Sequence, residues 1–589
     1  MLSHRLSKHI GTFSKQLPKF KPGFHLRQQS TLSKNNGSSL NSLIPLVSGV
    51  AIGVGATLLY SSSKKKQEVT VEDSPNGAFL HKVLYNSTIK ISDLESPKYG
   101  SEEDLQTAIA EIKTRIGDEL VTNTESQLEH HTDNGYCPTK PLPEQVPKYI
   151  VYAASTEDVS EILQVAHKYS IPVIPFSGGT SLEGHFFTTR PGIVLDTSKM
   201  NKILEIHPDD LDAKLQCGVS WNQLNEHLSQ TPGCENLILG CDCGPGAHVC
   251  GMIATNASGV GAVKHGSMNN NVISITAVLA DGTIFKTKQR PRKTSAGYNL
   301  TGLLCGSEGT LAVVTECVVK LQVQNPYETV AVVQFDDLKN CCKSVSAMFK
   351  KGLQLEAVEM LDANMMKAVN YCEQITETYD EVPTLFLKIS GLNKVVVDEL
   401  VKEVSSISKE NKCTKFLFAK DKEEQEELFA ARKNALYIML DWGFGNIGDI
   451  KLWITDVAVP LSKVPDFAMK ANKLVDESGL KSVTVAHIGS GNFHIDLYYQ
   501  EDQLERCEKL AKDISKLGIE MEGSVSGEHG IGLGKRELLP LELGPEAIDL
   551  MRKLKFSMDP KCILNPDKVI QIDPNEPYPP SKEPLMIGK

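Results

Sequence analysis

Three glycine-dense segments, spaced along an otherwise ordinary chain, restrict most what this sequence can become. The first, Ser177-Gly178-Gly179-Thr180-Ser181-Leu182-Glu183-Gly184, follows the apolar run IPVIPF. In the second, Cys243-Gly244-Pro245-Gly246-Ala247 leads into Gly251-Met252-Ile253-Ala254-Thr255-Asn256-Ala257-Ser258-Gly259, with His265-Gly266 after it. The third is Gly306-Ser307-Glu308-Gly309-Thr310-Leu311. Consecutive glycines let successive backbone N–H groups converge, and such a nest binds phosphate oxygens without a cationic side chain. A tight turn explains the first loop alone equally well. The order matches neither G-x-G-x-x-G nor the P-loop, so Rossmann and NTPase readings lose support. Together, three such segments separated by strands suit a long dinucleotide that the backbone approaches closely, because small residues weaken packing where no ligand replaces them.

Around these segments short apolar runs alternate with helical patterns. YIVYA reads as a strand, and Ser155-Thr156-Glu157-Asp158 opens the helix VSEILQVAHKY with Ser or Thr as its cap. IPVIP, GIVLD, ITAVLADG, TIFKT and TLAVVTECVVKL follow as strands. Beyond Pro326, strands ETVAVVQF, PTLFLKIS and LWITDVAVP alternate with helices LKNCCKSVSAMFKKG and VVVDELVKEVSSIS. That predicts an antiparallel sheet with helices on one face. The fold class is α+β. An opening helical and loop segment over 68–144 precedes one domain over 145–323 and a second over 324–550, and a separate C-terminal segment spans 551–589.

The charge is unevenly spread. The chain has 62 basic and 73 acidic residues; ten of the basic ones and none of the acidic ones precede Glu68, so the remainder carries 52 against 73, a formal −21. An acidic body argues against nucleic acid. It suits a basic protein partner, although solubility alone also explains it. Residues 1–34 are basic, Ser-rich and acid-free, the composition of a mitochondrial presequence. Leu43 to Tyr60 is uncharged and followed by Lys64-Lys65-Lys66, which predicts a transmembrane anchor over 40–62. Together they predict an inner-membrane protein whose body faces the intermembrane space. The 14 cysteines show no zinc-site spacing and read as mostly buried thiols.

A second constellation carries chemistry of its own. VTVAH, the turn Gly489-Ser490-Gly491-Asn492 and the return strand from Phe493 set His487 and His494 near the base of one hairpin. Further on, Ser526-Gly527-Glu528-His529-Gly530 leaves an adjacent Glu and His free to point into a site. Two His and a carboxylate form a three-ligand divalent site with open positions. Singly, each His reads as structural; four ionisable groups in two Gly-flanked turns favour function. Arg432, within FAARK, reads either as a surface partner of Glu426 or Glu427 or as a fork for a substrate carboxylate.

PFSGGTSLEG, PGAHVCGMIATNASG, RPRKTSAGYNLTGLLCGSEGTLAVVTE and ILNPDKV, in order over roughly residues 130–570, resemble the FAD-binding domain of the vanillyl-alcohol oxidase / p-cresol methylhydroxylase superfamily, and within it the D-lactate dehydrogenase branch. The resemblance implies a two-subdomain FAD-binding domain with an antiparallel-sheet substrate (cap) domain. It sets Pro175, Ser177, Gly178, Gly179, Thr180 and Ser181 on the pyrophosphate. Pro245, Gly246, Ala247, Gly251, Met252, Thr255, Asn256, Ser258, Gly259, His265 and Gly266 then run along the FAD. Glu308, Gly309, Val313 and Val314 lie toward the adenine end, and Asn565 returns from the tail. The first loop offers Thr180 and Ser181 rather than the His that some relatives use, which implies non-covalent FAD.

The same resemblance makes His487, His494 and Glu528 ligands of a divalent metal, zinc being the expected one, with His529 the base and Arg432 the carboxylate fork. The implied reaction is oxidation of a small D-2-hydroxy acid such as D-lactate, with hydride passing to flavin and electrons then to cytochrome c. Cys250 and Asp567 stand where glycines are usual, and Ser490 where Asp is frequent. The alternatives are a D-2-hydroxyglutarate dehydrogenase, a zinc hydrolase disfavoured by the lack of H-E-x-x-H, and a membrane-bound FAD scaffold without turnover.

Overall fold

The computed structural model describes residues 85–142 and 144–576, all within the unit Thr70–Lys589. The presequence and anchor expectations lie outside the described residues; among these, no helix is long and apolar enough to cross a membrane.

The first sheet has the strand order Val121–Thr122, Tyr149–Tyr152, Ile193–Asp196, Val173–Phe176. Its last three strands run parallel. Parallel neighbours need a crossover, and the helix Thr156–Tyr169 supplies one. Its start is fixed as the sequence predicts: the Ser155 side chain accepts from Asp158 N and the Asp158 carboxylate returns the bond. The helix Glu102–Ile116 packs beside it through Leu105, Ile109 and Ile112. The strand Val173–Phe176 delivers the chain straight into the first glycine loop, at the carboxyl end of a parallel strand where α/β sheets bind ligands. Residues from the far end of the chain close the same edge, with Val173 N donating to Ile563 O and Asn565 N to Val173 O.

The second sheet is antiparallel, in the order Ile203–His207, Asp212–Gln216, Val313–Lys320, Val272–Val278, Ile284–Lys286. The helix Val249–Thr255 lies in the core it shares with the Val313–Lys320 strand. Glu308 N donates to Ala254 O, which joins the second and third glycine segments.

The third sheet has eight strands, all paired antiparallel, with Tyr327–Phe335, Thr384–Gly391, Ala357–Leu361, Lys481–His487 and Asn492–Tyr499 side by side. The expectation of helices on one face is corrected here. Helices Leu338–Lys350, Lys394–Glu410, Val464–Ser478 and Leu504–Glu520 share a core with Ala331, Val333, Leu385, Leu387 and Phe493. Helices Ala363–Tyr371, Lys422–Lys433 and Ala435–Asn446 share another with Val330, Val332, Phe386, Val485 and Tyr498. Alternate residues of the same strands serve both layers, so both faces are covered. The strands advertise this by being apolar throughout rather than at every second position.

LWITDVAVP likewise departs from the single strand expected. It breaks into Lys451–Ile454 and Val457–Ala458, and the interruption at Thr455-Asp456 proves important for the site.

One buried acid on this sheet gives a stability test. Asp362 caps the helix Ala363–Tyr371, accepting from Met365 N at 2.7 Å. Burial outweighs its hydrogen bonds and pushes the carboxyl up to about 6. A folded-state value above the unfolded one means stability is full below about pH 4 and is lost as pH rises through 6. Asp362→Asn is expected to stabilise the protein by roughly 2–3 kcal/mol at about pH 7.5 and to change little near pH 4, in urea-unfolding midpoints.

Candidate active site

On the second face of the large sheet, side chains two apart share one side. Phe386, Ala357, Leu361, Val485 and Tyr498 occupy the helix-covered part of that face. Lys388, Glu359, His487, His494 and Asp496 continue the same rows as a polar patch. The register sets His494 opposite Val485 and Asp496 opposite Val483 across the hairpin, with Leu361 opposite Val485 on the other flank. Lys388, His487, His494 and Asp496 line a cavity of about 870 Å³ whose remaining wall includes the three glycine segments.

The metal candidates converge. His487 Nε2 lies 3.3 Å and His494 Nε2 3.1 Å from Glu528 Oε1. Both Nδ1 atoms are already committed, His487 to Glu359 Oε2 at 2.9 Å and His494 to Thr455 O at 3.0 Å. Each ring therefore presents Nε2 to the site with its tautomer fixed by a partner behind it, the arrangement that suits imidazole ligands. Burial disfavours charge on His487, yet Glu359 and Glu528 overcome it and push the ring up to about 10. The two rings hold Glu528, despite its burial, well below the usual carboxylate range. Two imidazoles and a carboxylate with one shared focus fit a divalent cation. A second grouping, Asp456, His494 and His529, also lies within ligand distance. Lys535 Nζ already sits 3.5 Å from Asp456 Oδ2, and its positive charge opposes a cation there.

His529 stacks on His494 with centroids 5.0 Å apart. Its Nδ1 lies 4.0 Å from Asp456 Oδ2. Burial, only partly opposed by Asp456, pushes the ring down to about 4, so it is neutral at physiological pH. Arg432 is 9% exposed and turned inward, so the surface pairing with Glu426 or Glu427 does not form. Instead Nε and Nη2 both bond Glu359 Oε2, at 2.8 and 2.7 Å, while the side chain lines the cavity.

Glu359 and Asp456 are the residues that sequence reasoning missed. Glu359 ties Arg432 to His487. Asp456 Oδ2 accepts from Ser526 Oγ at 2.8 Å, Glu528 N at 3.0 Å and His529 N at 2.8 Å, and so pins the turn that carries Glu528 and His529. Each is the lone acid of an otherwise largely apolar run, AVEML and WITDVAV, and that was the available signal.

Most of the expected cofactor positions line the cavity: Pro175, Ser177, Gly178, Gly179, Thr180, Ser181, Pro245, Ala247, Gly251, Met252, Thr255, Ser258, Gly259, Glu308, Gly309, Val313, Val314 and Asn565. Four do not. Gly246 turns the chain at φ 83°. Asn256, at φ 53°, ends its helix and accepts from Asn269 N. His265 packs against Gly240 and lies 3.6 Å from Glu356, and Gly266 caps the short helix before it. Glu308, expected toward the adenine end, binds the Ile531 and Gly532 amides, next to the His529 turn.

The cavity suits a large flat ligand. A Cβ on Gly244 or Gly251 would meet nothing within 4 Å, so the wall there is bare backbone facing open space. Asn565 Oδ1 is buried without a partner among the described residues. Two of the departures have structural roles. Asp567, at φ 67°, pairs with Arg190 at 2.8 Å, and Ser490 Oγ donates to His487 O at 3.0 Å.

Residues 147–288 match the family described as FAD binding domain, and residues 324–569 the family described as FAD linked oxidases, C-terminal domain. The D-lactate dehydrogenase [cytochrome], mitochondrial, of Kluyveromyces lactis is 43% identical over 542 residues, 91% of each chain. The chain belongs to this family of FAD-linked oxidases. D-lactate dehydrogenase [cytochrome] 1, mitochondrial, of Saccharomyces cerevisiae is 45% identical over 84% of each chain, and the D-lactate dehydrogenase [cytochrome], mitochondrial, of Arabidopsis thaliana 35% over 78% of this chain and 80% of its own. The crystal structure of p-cresol methylhydroxylase with substrate bound superimposes with a TM-score of 0.67 at 18% identity, covering 82% of this chain and all of that one. That likeness shows the fold alone, and it agrees with the FAD-binding α+β fold that the sequence resemblance implies.

Proposed function

We propose that this protein oxidises D-lactate to pyruvate, with FAD as the immediate acceptor and cytochrome c as the final one. The observation that carries the reading is the convergence of His487, His494 and Glu528 on one focus beside a neutral His529, at the edge of a glycine-walled cavity. The names of the fungal and plant relatives support the substrate and the acceptor.

Bound in this cavity, FAD supplies the two-electron acceptor and a divalent cation, zinc in our reading, the Lewis acidity. The protein's own groups do the rest. His487, His494 and Glu528 hold the cation. Arg432, with its Nε–Nη2 edge occupied by Glu359, offers its Nη1 N–H donors to the substrate carboxylate. His529 turns Nδ1 toward Asp456, which leaves Nε2 to take the proton of the 2-hydroxyl. Non-covalent attachment is supported by the first loop, which offers Thr180 and Ser181 to the cavity and no histidine.

The acid-free leader and the uncharged run 43–60 support a mitochondrial inner-membrane anchor, with the acidic body in the intermembrane space beside basic cytochrome c. Recovery of the protein as a soluble matrix species on fractionation rejects this placement.

One observation favours a second reading, D-2-hydroxyglutarate. Lys388 lines the cavity and its Nζ sits 4.5 Å over the Phe429 ring, one helical turn from Arg432, where it could meet a second carboxylate. The deciding measurement is kcat/KM for D-lactate against D-2-hydroxyglutarate. The full-length protein is expected to purify yellow, to be bleached by D-lactate and not by L-lactate, and to reduce cytochrome c. Protein that stays colourless with excess FAD overturns the proposal, and yellow protein that D-lactate does not bleach makes it a scaffold.

A further inference from the structure

The segment carrying Glu528 and His529 is strung between the two domains, and one buried ammonium holds both ends. Lys535 is 7% exposed. Its Nζ lies 3.3 Å from Glu183 Oε1, 3.1 Å from the Asp456 carbonyl and 3.5 Å from Asp456 Oδ2. Glu183 belongs to the first glycine loop, only two residues beyond Ser181, whereas Asp456 sits in the break between the large-sheet strands Lys451–Ile454 and Val457–Ala458 and pins the Glu528 and His529 amides. The backbone adds a second tie. Glu183 O accepts from Leu533 N at 2.8 Å and Gly534 N at 3.1 Å, and Glu308 of the third glycine segment accepts from Ile531 N and Gly532 N. Side chains at 532 or 534 would run into Glu183, so the close approach depends on both glycines.

We propose that Lys535 is a positioning residue that couples occupancy of the FAD loop to the geometry of the cation site. This rests on the reading of the two sites given above. A dinucleotide phosphate seated in the 177–181 loop fixes Glu183. Through Lys535 that fixes Asp456, and through Asp456 the placement of Glu528 relative to His487 and His494. Flavin and cation then tighten each other's binding, since any such coupling is reciprocal. Lys535 touches neither ligand: its atoms are taken up by Glu183 and Asp456, and it does not line the cavity. Removing its charge leaves two buried carboxylates to repel one another, so the two halves lose their shared fixed point.

The test is equilibrium binding of Zn²⁺ to the full-length protein, with and without saturating FAD, in the parent, Lys535→Met and Glu183→Gln. In the parent, FAD is expected to tighten Zn²⁺ binding by about tenfold, and Zn²⁺ to tighten FAD binding by the same factor. In either variant the factor should fall to about twofold or less, while each ligand still binds alone. Lys535→Arg, which keeps the charge, is expected to restore part of the coupling. A parent that binds both ligands without mutual effect overturns the inference, as does full coupling in the variants. A parent that binds neither ligand overturns instead the reading of the sites. Should Lys535→Met fail to fold, Glu183→Gln decides, because it retains the Lys535–Asp456 pair.

Discussion

Replacing His529 with alanine is expected to slow reduction of the bound flavin by D-lactate by about 10²–10⁴-fold, the range that a positioned general base contributes. The flavin spectrum and the metal content should stay those of the parent. The geometry explains why so local a change is expected. Asp456 holds residue 529 through its backbone amide, so the turn survives loss of the ring. His494 loses a stacking partner at 5.0 Å but keeps its bonds to Thr455 and Glu528. The ring's burial holds it near 4, so in the parent almost every molecule carries a free base at neutral pH, whereas an ordinary His at 6.5 would be partly protonated there. Stopped-flow reduction with D-lactate reads the outcome, and a variant reduced at the parental rate removes His529 from the chemistry.

The second large effect is expected from His487→Ala, which should empty the cation site. The ring is one of three groups focused on a single point, and a zinc site with an open position is built on three protein ligands. Affinity should fall by more than the roughly 10–100-fold that loss of an outer partner costs. The variant is nevertheless expected to fold and to bind FAD. The buried Glu359 left behind keeps its bonds to Arg432 at 2.8 and 2.7 Å, so no unpaired charge is created. Metal analysis of protein purified with FAD in place gives the answer. Stoichiometric metal in His487→Ala excludes the ring as a ligand.

Much of this site could be read in the sequence because its chemistry is written in short, local words. Glycines that keep a wall bare cannot be replaced silently, and a hairpin with His at both feet places two rings together whatever surrounds it. Residues that act by meeting a distant partner were not legible in that way. Glu359 lies 128 positions from His487, and Asp456 lies 73 from His529. No local pattern tells a buried acid that binds a remote amide from a solvated one. Only its isolation among apolar neighbours hints at it. Arg432 shows the same limit. Helical spacing offered acids nearby on its own helix, and the partner it took stands on a strand 73 residues away. The second helical layer over the large sheet was legible in principle, since the strands are apolar at consecutive positions, but periodicity alone does not say what covers each face.

The edge of the first sheet carries a consequence for how the molecule matures. Residues Ile563 and Asn565 zip onto Val173, and Asn565 also bonds His185 O and Glu308 O, so the nucleotide cradle is finished by residues synthesised long after its first loop. Synthesis proceeds from the N-terminus, and contacts this distant in sequence form late. A chain lacking residues 563–565 is therefore expected to lose most of its hold on FAD, and the flavin absorbance of such a truncation reads the outcome.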